Sequence, residues 1–145
     1  MILKWDKRFL ELAEFISKWS KDPSTKVGAV ITDNKRKIIS IGYNGLPRNI
    51  KDDLTILNDR DLKYQMIVHA ERNALLFANN TILNGCTIYT YPFMPCSVCA
   101  GMIIQSGIGR VVSYKNTDVK WEESFNISRR MFRESGVKLM EYLRS

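Results

Sequence analysis

An α/β fold is what this sequence predicts: a three-layer α/β/α sandwich in which a mixed five-stranded sheet carries helices on both faces. Three observations predict it. The 145 residues fit a single domain spanning 1–145, since domains commonly take about 100–200 residues. Stretches with apolar residues at three- and four-residue steps alternate with short runs rich in Val, Ile and Tyr, the periods of helix and strand. The first two strand-like runs adjoin as a hairpin, whereas the later ones are separated by helical stretches, so antiparallel pairing gives way to parallel crossovers.

Each element has its own signal. Trp5, Phe9, Leu12, Ala13, Ile16 and Trp19 form the aromatic and aliphatic stripe of an amphipathic helix, expected to pack on the core, and Asp22-Pro23 stops it. Lys26–Thr32 and Lys37–Tyr43 flank Asp33-Asn34-Lys35-Arg36, a hairpin pattern. Asn44–Met66 is polar, opens with Gly45 and Pro47 and carries only a weak apolar pattern, which predicts a loop with one helical stretch. His69–Asn79 has helical apolar density, Asn84-Gly85 turns the chain, and Cys86–Tyr91 is a strand broken by Pro92 and Pro95. A short apolar helix, Cys96–Ser106, closes at Gly107. Arg110–Tyr114 is a strand, Glu122–Ser135 a helix ending at Gly136, and Val137–Tyr142 the last strand. There is no internal repeat, low-complexity tract or linker-like stretch.

Composition excludes several classes. With 45% hydrophobic and 26% charged residues the chain can bury a core, which argues against a disordered or fibrous protein. The net charge of +7 calls for an anionic partner without naming it, and the basic excess is largest in the first third of the chain. No apolar run approaches the roughly 18–20 residues of a membrane span, and Met1–Trp19 lacks the apolar core of a signal peptide. A cytoplasmic, reducing compartment and no membrane partner are therefore expected. Three cysteines and one histidine are too few for a disulfide framework and allow at most one metal site or one catalytic cluster.

That cluster is legible. His69-Ala70-Glu71 precedes Pro95-Cys96-Ser97-Val98-Cys99, and each half alone is weak: a polar helix cap, or a redox pair. Together His69, Cys96 and Cys99 supply three soft or borderline ligands and leave a fourth position for water, the ligand count of a catalytic zinc site rather than a closed structural one. Cys96 and Cys99 are three residues apart on one helical turn, where helix amides favour the thiolate that zinc needs. Glu71 lies within reach of a zinc-bound water without being needed as a ligand, which suits a proton shuttle. The paired H-x-E and P-C-x-x-C pattern resembles that of zinc deaminases.

At these residues the chain resembles the cytidine deaminase superfamily, and within it the deoxycytidylate (dCMP) deaminases of phage and bacterial type. Four blocks carry the resemblance: Asp22-Pro23-Ser24-Thr25-Lys26-Val27-Gly28-Ala29-Val30, Gly42-Tyr43-Asn44-Gly45-Leu46-Pro47, His69-Ala70-Glu71-Arg72-Asn73-Ala74, and Pro95-Cys96-Ser97-Val98-Cys99-Ala100. The resemblance implies a cytidine deaminase-like fold, one zinc ion per chain, and hydrolysis of dCMP to dUMP and ammonia, which supplies dUMP for dTMP synthesis. Carried over residue by residue, it gives His69, Cys96 and Cys99 as zinc ligands and Glu71 as the proton carrier to N3 and the departing amine. Asn44 and the Ala70 backbone are expected to orient sugar and base, Lys26 to lie near the 5′-phosphate, and Pro95 and Tyr114 to complete the substrate contacts. A homo-oligomer, commonly a hexamer, is also implied.

The chain departs from the family in three places. No second His and only Cys86 remain for the extra structural zinc of some relatives. Asn49 stands where nucleotide-regulated relatives carry a Gly, which counts against allosteric control, and Lys115-Asn116-Thr117-Asp118 offers no aromatic where relatives place one. Simpler readings compete as well. Cys86 in a strand reads as a buried small hydrophobe, Lys26 as a solvated edge lysine, and Asn44 as a turn residue. Arg129, Arg130 and Arg133 share their helix with Glu122, Glu123 and Glu134, so a solvated or subunit-facing surface outweighs a nucleic-acid face. The competing functions are a tRNA adenosine deaminase or a dCTP-accepting deaminase of the same superfamily, and a non-catalytic binding module stabilised by zinc. An intact Glu71 and an open fourth ligand position argue against the last.

Overall fold

A computed structural model describes residues 1–116 and 118–144. In chain order the elements are α1 (Lys4–Ser17), β1 (Gly28–Thr32), β2 (Ile38–Tyr43), α2 (Leu54–Leu57), α3 (Arg60–Met66), α4 (Ala70–Phe77), β3 (Thr87–Tyr91), α5 (Ser97–Ser106), β4 (Arg110–Tyr114), α6 (Glu122–Ser135) and β5 (Lys138–Tyr142). A single 3₁₀ turn, Val119–Trp121, precedes α6. The strands form one mixed sheet in the order β2-β1-β3-β4-β5. β1 pairs antiparallel with β2 (Gly28 opposite Tyr43) and with β3 (Gly28 opposite Tyr91), whereas β3–β4 and β4–β5 are parallel.

The alternation of strand side chains divides the core into two layers. Ala29, Ile31, Ile88 and Val111 face one way and pack with Ala70, Ala74, Ala100, Ile103, Phe125 and Phe132 from α4, α5 and α6. Their neighbours Val30, Tyr89 and Val112 face the other way, onto Phe9, Leu10, Ala13 and Ile16 of α1. Helices thus cover both faces, the three-layer arrangement expected from the alternating strands and helices. Two glycines set the spacing. A Cβ on Gly28 would lie 2.0 Å from the Ala13 carbonyl oxygen of α1, and one on Gly42 only 2.4 Å from that of Ala70 on α4. Among the described residues no helix is long and apolar enough to cross a membrane.

The structure corrects the sequence reading in two regions. Asn44–Met66 holds two short helices where a loop with one helical stretch was expected. Each has a carboxylate cap that the weak apolar pattern obscured: Asp53 accepts from the Thr55 N–H at 2.9 Å and Asp59 from that of Leu62 at 3.2 Å. The stripe of α1 is core only in its middle. Trp5 and Trp19 are 36% and 48% exposed. Trp5 stacks on Phe9 beneath the Arg8 and Arg36 guanidinium groups, and Trp19 lies past the helix end, edge-on to Phe15 and Tyr43.

Candidate active site

Two helix starts meet over the sheet. Val68 is pinned to Gly45 by a pair of backbone hydrogen bonds, at 2.8 and 3.1 Å, which fixes His69 as the residue that opens α4. The start of α5 is tied to α6: the Pro95 carbonyl accepts from Ser128 Oγ at 2.8 Å and the Ser97 N–H donates to Ser124 Oγ at 3.0 Å. Cys96 caps α5 and Cys99 lies in its first turn. His69 Nδ1 is consequently 3.6 Å from Cys96 Sγ and 3.3 Å from Cys99 Sγ. One donor atom from each of the three lies within 4.8 Å of the others.

The electrostatics suit a cation. The Cys96 thiol is pushed down to about 3 by a hydrogen bond from Cys99, which with His69 outweighs the cost of burial. Cys99, donating to that thiolate and fully buried, is shifted upward. Its hydrogen bond to Cys96 raises His69, against burial, and the nearby Glu71 charge adds to the effect. Burial alone would lower Arg72, yet the charge and hydrogen bonding of Cys99 and Cys96 hold its guanidinium above the ordinary range. Arg72 Nε is buried without a hydrogen-bond partner, beside the two sulfurs. Glu71 is 4% exposed, and desolvation raises its carboxyl above the usual range despite the opposing pull of His69.

These groups open into a cavity of about 200 Å³. His69, Glu71 and Cys96 line it, as do Asn44 and Ala70. The Asn44 side chain is engaged within the protein: its Oδ1 accepts from the Val27 N–H at 2.9 Å, and its Nδ2 donates to the Thr25 carbonyl at 2.9 Å and to Asp22 at 3.4 Å. It therefore shapes the wall by holding the Asp22–Lys26 turn. Pro95 is not a lining residue; it acts through the Ser128 bond that anchors α5.

Lys26 and Tyr114 are placed apart from the cavity. The Lys26 ammonium is turned onto the Ser20 carbonyl, three residues past the end of α1. Tyr114 has the same strand parity as Val112, so it projects onto the α1 face, against Tyr91 and Arg144. The cavity cations are Arg60, Lys63 and Lys120, and its aromatic wall is Tyr64, Phe93, Trp121 and Phe125. None of these was singled out from the sequence: α3 and the 3₁₀ turn, which supply most of them, carry no motif, and Phe93 after β3 and Phe125 on α6 read as ordinary apolar residues. Cys86 is buried among Leu83, Ile88 and Ile108 in the core, as expected. Of the stretch Lys115–Asp118, Thr117 lies outside the described residues.

An imidazole and two thiols at this spacing fit zinc, and three protein donors leave a position open for water. The cationic Arg72 beside the sulfurs fits the negative charge that two ligating thiolates bring. Comparison with known proteins agrees: the sequence model of the cytidine and deoxycytidylate deaminase zinc-binding region matches residues 3–115. The chain belongs to this deaminase family. It is 45% identical to an uncharacterized deaminase in the luxG 3′ region of Aliivibrio fischeri, over 96% of this chain and 94% of the relative. Identity to the mouse (Mus musculus) deoxycytidylate deaminase is 38%, over 97% of this chain and 80% of that protein. The crystal structure of the apo dCMP deaminase of cyanophage S-TIM5 superposes with a TM-score of 0.75 at 25% identity, covering 97% of this chain and 99% of that one. This member of the deaminase family thus shares sequence with its relatives along nearly its whole length, not at the cysteine motif alone.

Proposed function

We propose that this chain removes the 4-amino group of dCMP by hydrolysis, giving dUMP and ammonia. The observation that carries the reading is the convergence of His69, Cys96 and Cys99, with donor atoms within 4.8 Å, beside a buried Glu71 that faces the same cavity. Whole-length similarity to a deoxycytidylate deaminase supports the choice of substrate. His69, Cys96 and Cys99 hold zinc, which when bound acidifies water toward neutral pH and so makes a nucleophile available for C4 of the pyrimidine.

The rest is work for the chain's own groups. Glu71, its carboxyl raised by burial, carries protons in two rounds: it takes one from the attacking water and gives it to N3, then takes the second from the C4 hydroxyl and gives it to the departing amine, so that the C4 carbonyl forms as ammonia leaves. The backbone at Ala70 and the turn held by Asn44 orient sugar and base. Phe93 and Trp121, 6.1 Å apart, give the cavity an apolar wall suited to a pyrimidine ring. Arg72 stabilises the thiolates from behind.

A homo-oligomer and a cytoplasmic location belong to the same reading. Leu76, Val98 and Met102 on α4 and α5 are 64%, 60% and 40% exposed and form an apolar face suited to a second copy. Cys96 and Cys99 must stay reduced to bind metal, which suits a reducing compartment. The test is a panel of dCMP, dCTP, deoxycytidine and a tRNA anticodon stem-loop, followed by ultraviolet absorbance and ammonia release with zinc-loaded protein. Turnover of dCMP above the others is expected; reaction of the RNA alone would overturn the proposal.

A further inference from the structure

We infer that Arg60 and Lys120 form the subsite for the substrate's phosphate monoester, with Lys63 as the buried cation that sets their stage. This inference rests on the reading of the cavity as a dCMP site. Three cations line that cavity, and they come from α3 and from the 3₁₀ turn, not from the two helices that carry the metal donors.

Their surroundings differ in a way that assigns their roles. Lys63 is 5% exposed, donates to Asp22 at 3.1 Å and to Ser24 Oγ at 3.2 Å, and is neutralised by that buried pair. It anchors α3 to the Asp22–Lys26 turn. Arg60 lies three residues earlier on α3, on the same helical face, and is exposed. Lys120 is exposed on the other segment. Among the described residues neither Arg60 nor Lys120 has an acidic partner, so both charges remain available at the cavity.

An aromatic pair brings the two together. The Arg60 guanidinium lies 5.4 Å from the Tyr64 ring centroid, Tyr64 is 6.4 Å from Trp121, and the Lys120 ammonium is 5.2 Å from the Trp121 centroid. Each cation packs over one ring of a T-shaped pair, so the rim of the cavity presents two positive charges held by aromatic faces. A phosphate monoester carries close to two negative charges at neutral pH, the complement of this pair. Lys26, Arg48 and Lys51, basic residues in or close to the first two family blocks, do not line the cavity.

The experiment compares dCMP with deoxycytidine, which lacks the phosphate, for wild type, Arg60→Glu, Lys120→Glu and the double variant, all zinc-loaded. Both positions are exposed, and thermal melts check that each variant is folded. For a charge-assisted phosphate contact, each reversal is expected to lower the dCMP-to-deoxycytidine ratio of kcat/KM by about tenfold, chiefly through KM for dCMP. The double variant is expected to lose about a hundredfold, and Arg60→Lys to recover most of the single loss. Equal losses on both substrates, an unchanged ratio, or a wild type with no preference for dCMP would overturn the subsite. A wild type that turns over neither substrate overturns the functional reading itself, which separates the two failures.

Discussion

Glu71 is buried at the first turn of α4, two residues past a metal donor, and among the described residues no hydrogen bond to another side chain holds its carboxylate in the charged form. Its proton affinity is set first by desolvation, which raises it above the ordinary carboxylate value, the direction that suits a proton carrier. Glu71→Gln keeps the shape and removes the exchangeable proton. The variant is expected to retain one zinc per chain by elemental analysis and to lose turnover by about 10²–10⁴-fold. Turnover equal to wild type in a zinc-replete variant would sink the proton-shuttle role. His69, Glu71, Cys96 and Cys99 were legible as residues because metal ligation and proton transfer restrict the side chains to few types at short spacings. Arg72 was not, since an Arg after H-A-E reads as an ordinary helix surface residue until the fold turns α4 toward the two sulfurs.

At the scale of elements, the site depends on how closely α4 lies on β2. Gly42 allows this approach: a Cβ there would stand 2.4 Å from the Ala70 oxygen and 2.5 Å from the Ala74 N. Both neighbours are helix backbone, which cannot move aside as a flexible side chain can. Ser40 Oγ donating to the Ala74 carbonyl at 2.7 Å and Asn73 Nδ2 to the Tyr43 carbonyl at 2.8 Å fasten the same junction. Gly42→Ala is expected to destabilise the protein by about 3 kcal/mol in urea unfolding and, by shifting His69, to weaken zinc in a chelator competition. A variant matching wild type in both measurements would show that α4 is free to move outward. The helices and strands around this junction were readable from periodicity, whereas α2 and α3 were not. Their stability comes from Asp53 and Asp59 caps and from burial of Lys63, and single carboxylate caps are too common in loops to mark helices of four and seven residues.

Across the whole molecule, the face of the sheet opposite the cavity is fastened by Asp6. Its carboxylate receives two bonds from Arg110, at 2.8 and 2.6 Å, and one each from Tyr142 and Tyr89, at 2.6 and 3.2 Å, which joins α1 to β3, β4 and β5. Burial acts to raise its proton affinity, but these donors and the Arg110 charge outweigh it and leave Asp6 below the ordinary value of 3.8. A depressed carboxylate contributes its stability fully above the unfolded-state value and loses it as pH falls through the folded-state value, so this contribution starts to fade below about pH 4 and is lost at still lower pH. Asp6→Asn is expected to cost about 3 kcal/mol at pH 7 and to flatten the decline of Tm below pH 4. Parallel Tm curves for wild type and variant across that range would refute the assignment. Neither Asp6 nor Arg110 belongs to any motif, and at a separation of 104 positions the pair could not be read from the chain.

By itself the sequence determined the order of most elements, the two-faced sheet, the donor set His69, Cys96 and Cys99, and Glu71 beside it. These follow from local periodicity and from ligand chemistry that tolerates few substitutes. Only the tertiary structure decided which basic and aromatic residues face the cavity. Lys26 is turned to Ser20 and Tyr114 to the α1 face, whereas Arg60, Lys63, Lys120, Tyr64 and Trp121 are brought in from segments without a motif. The physical reason is that charge and aromatic surface are useful at many places on a protein, and their position depends on strand parity, helix caps and packing across the whole chain.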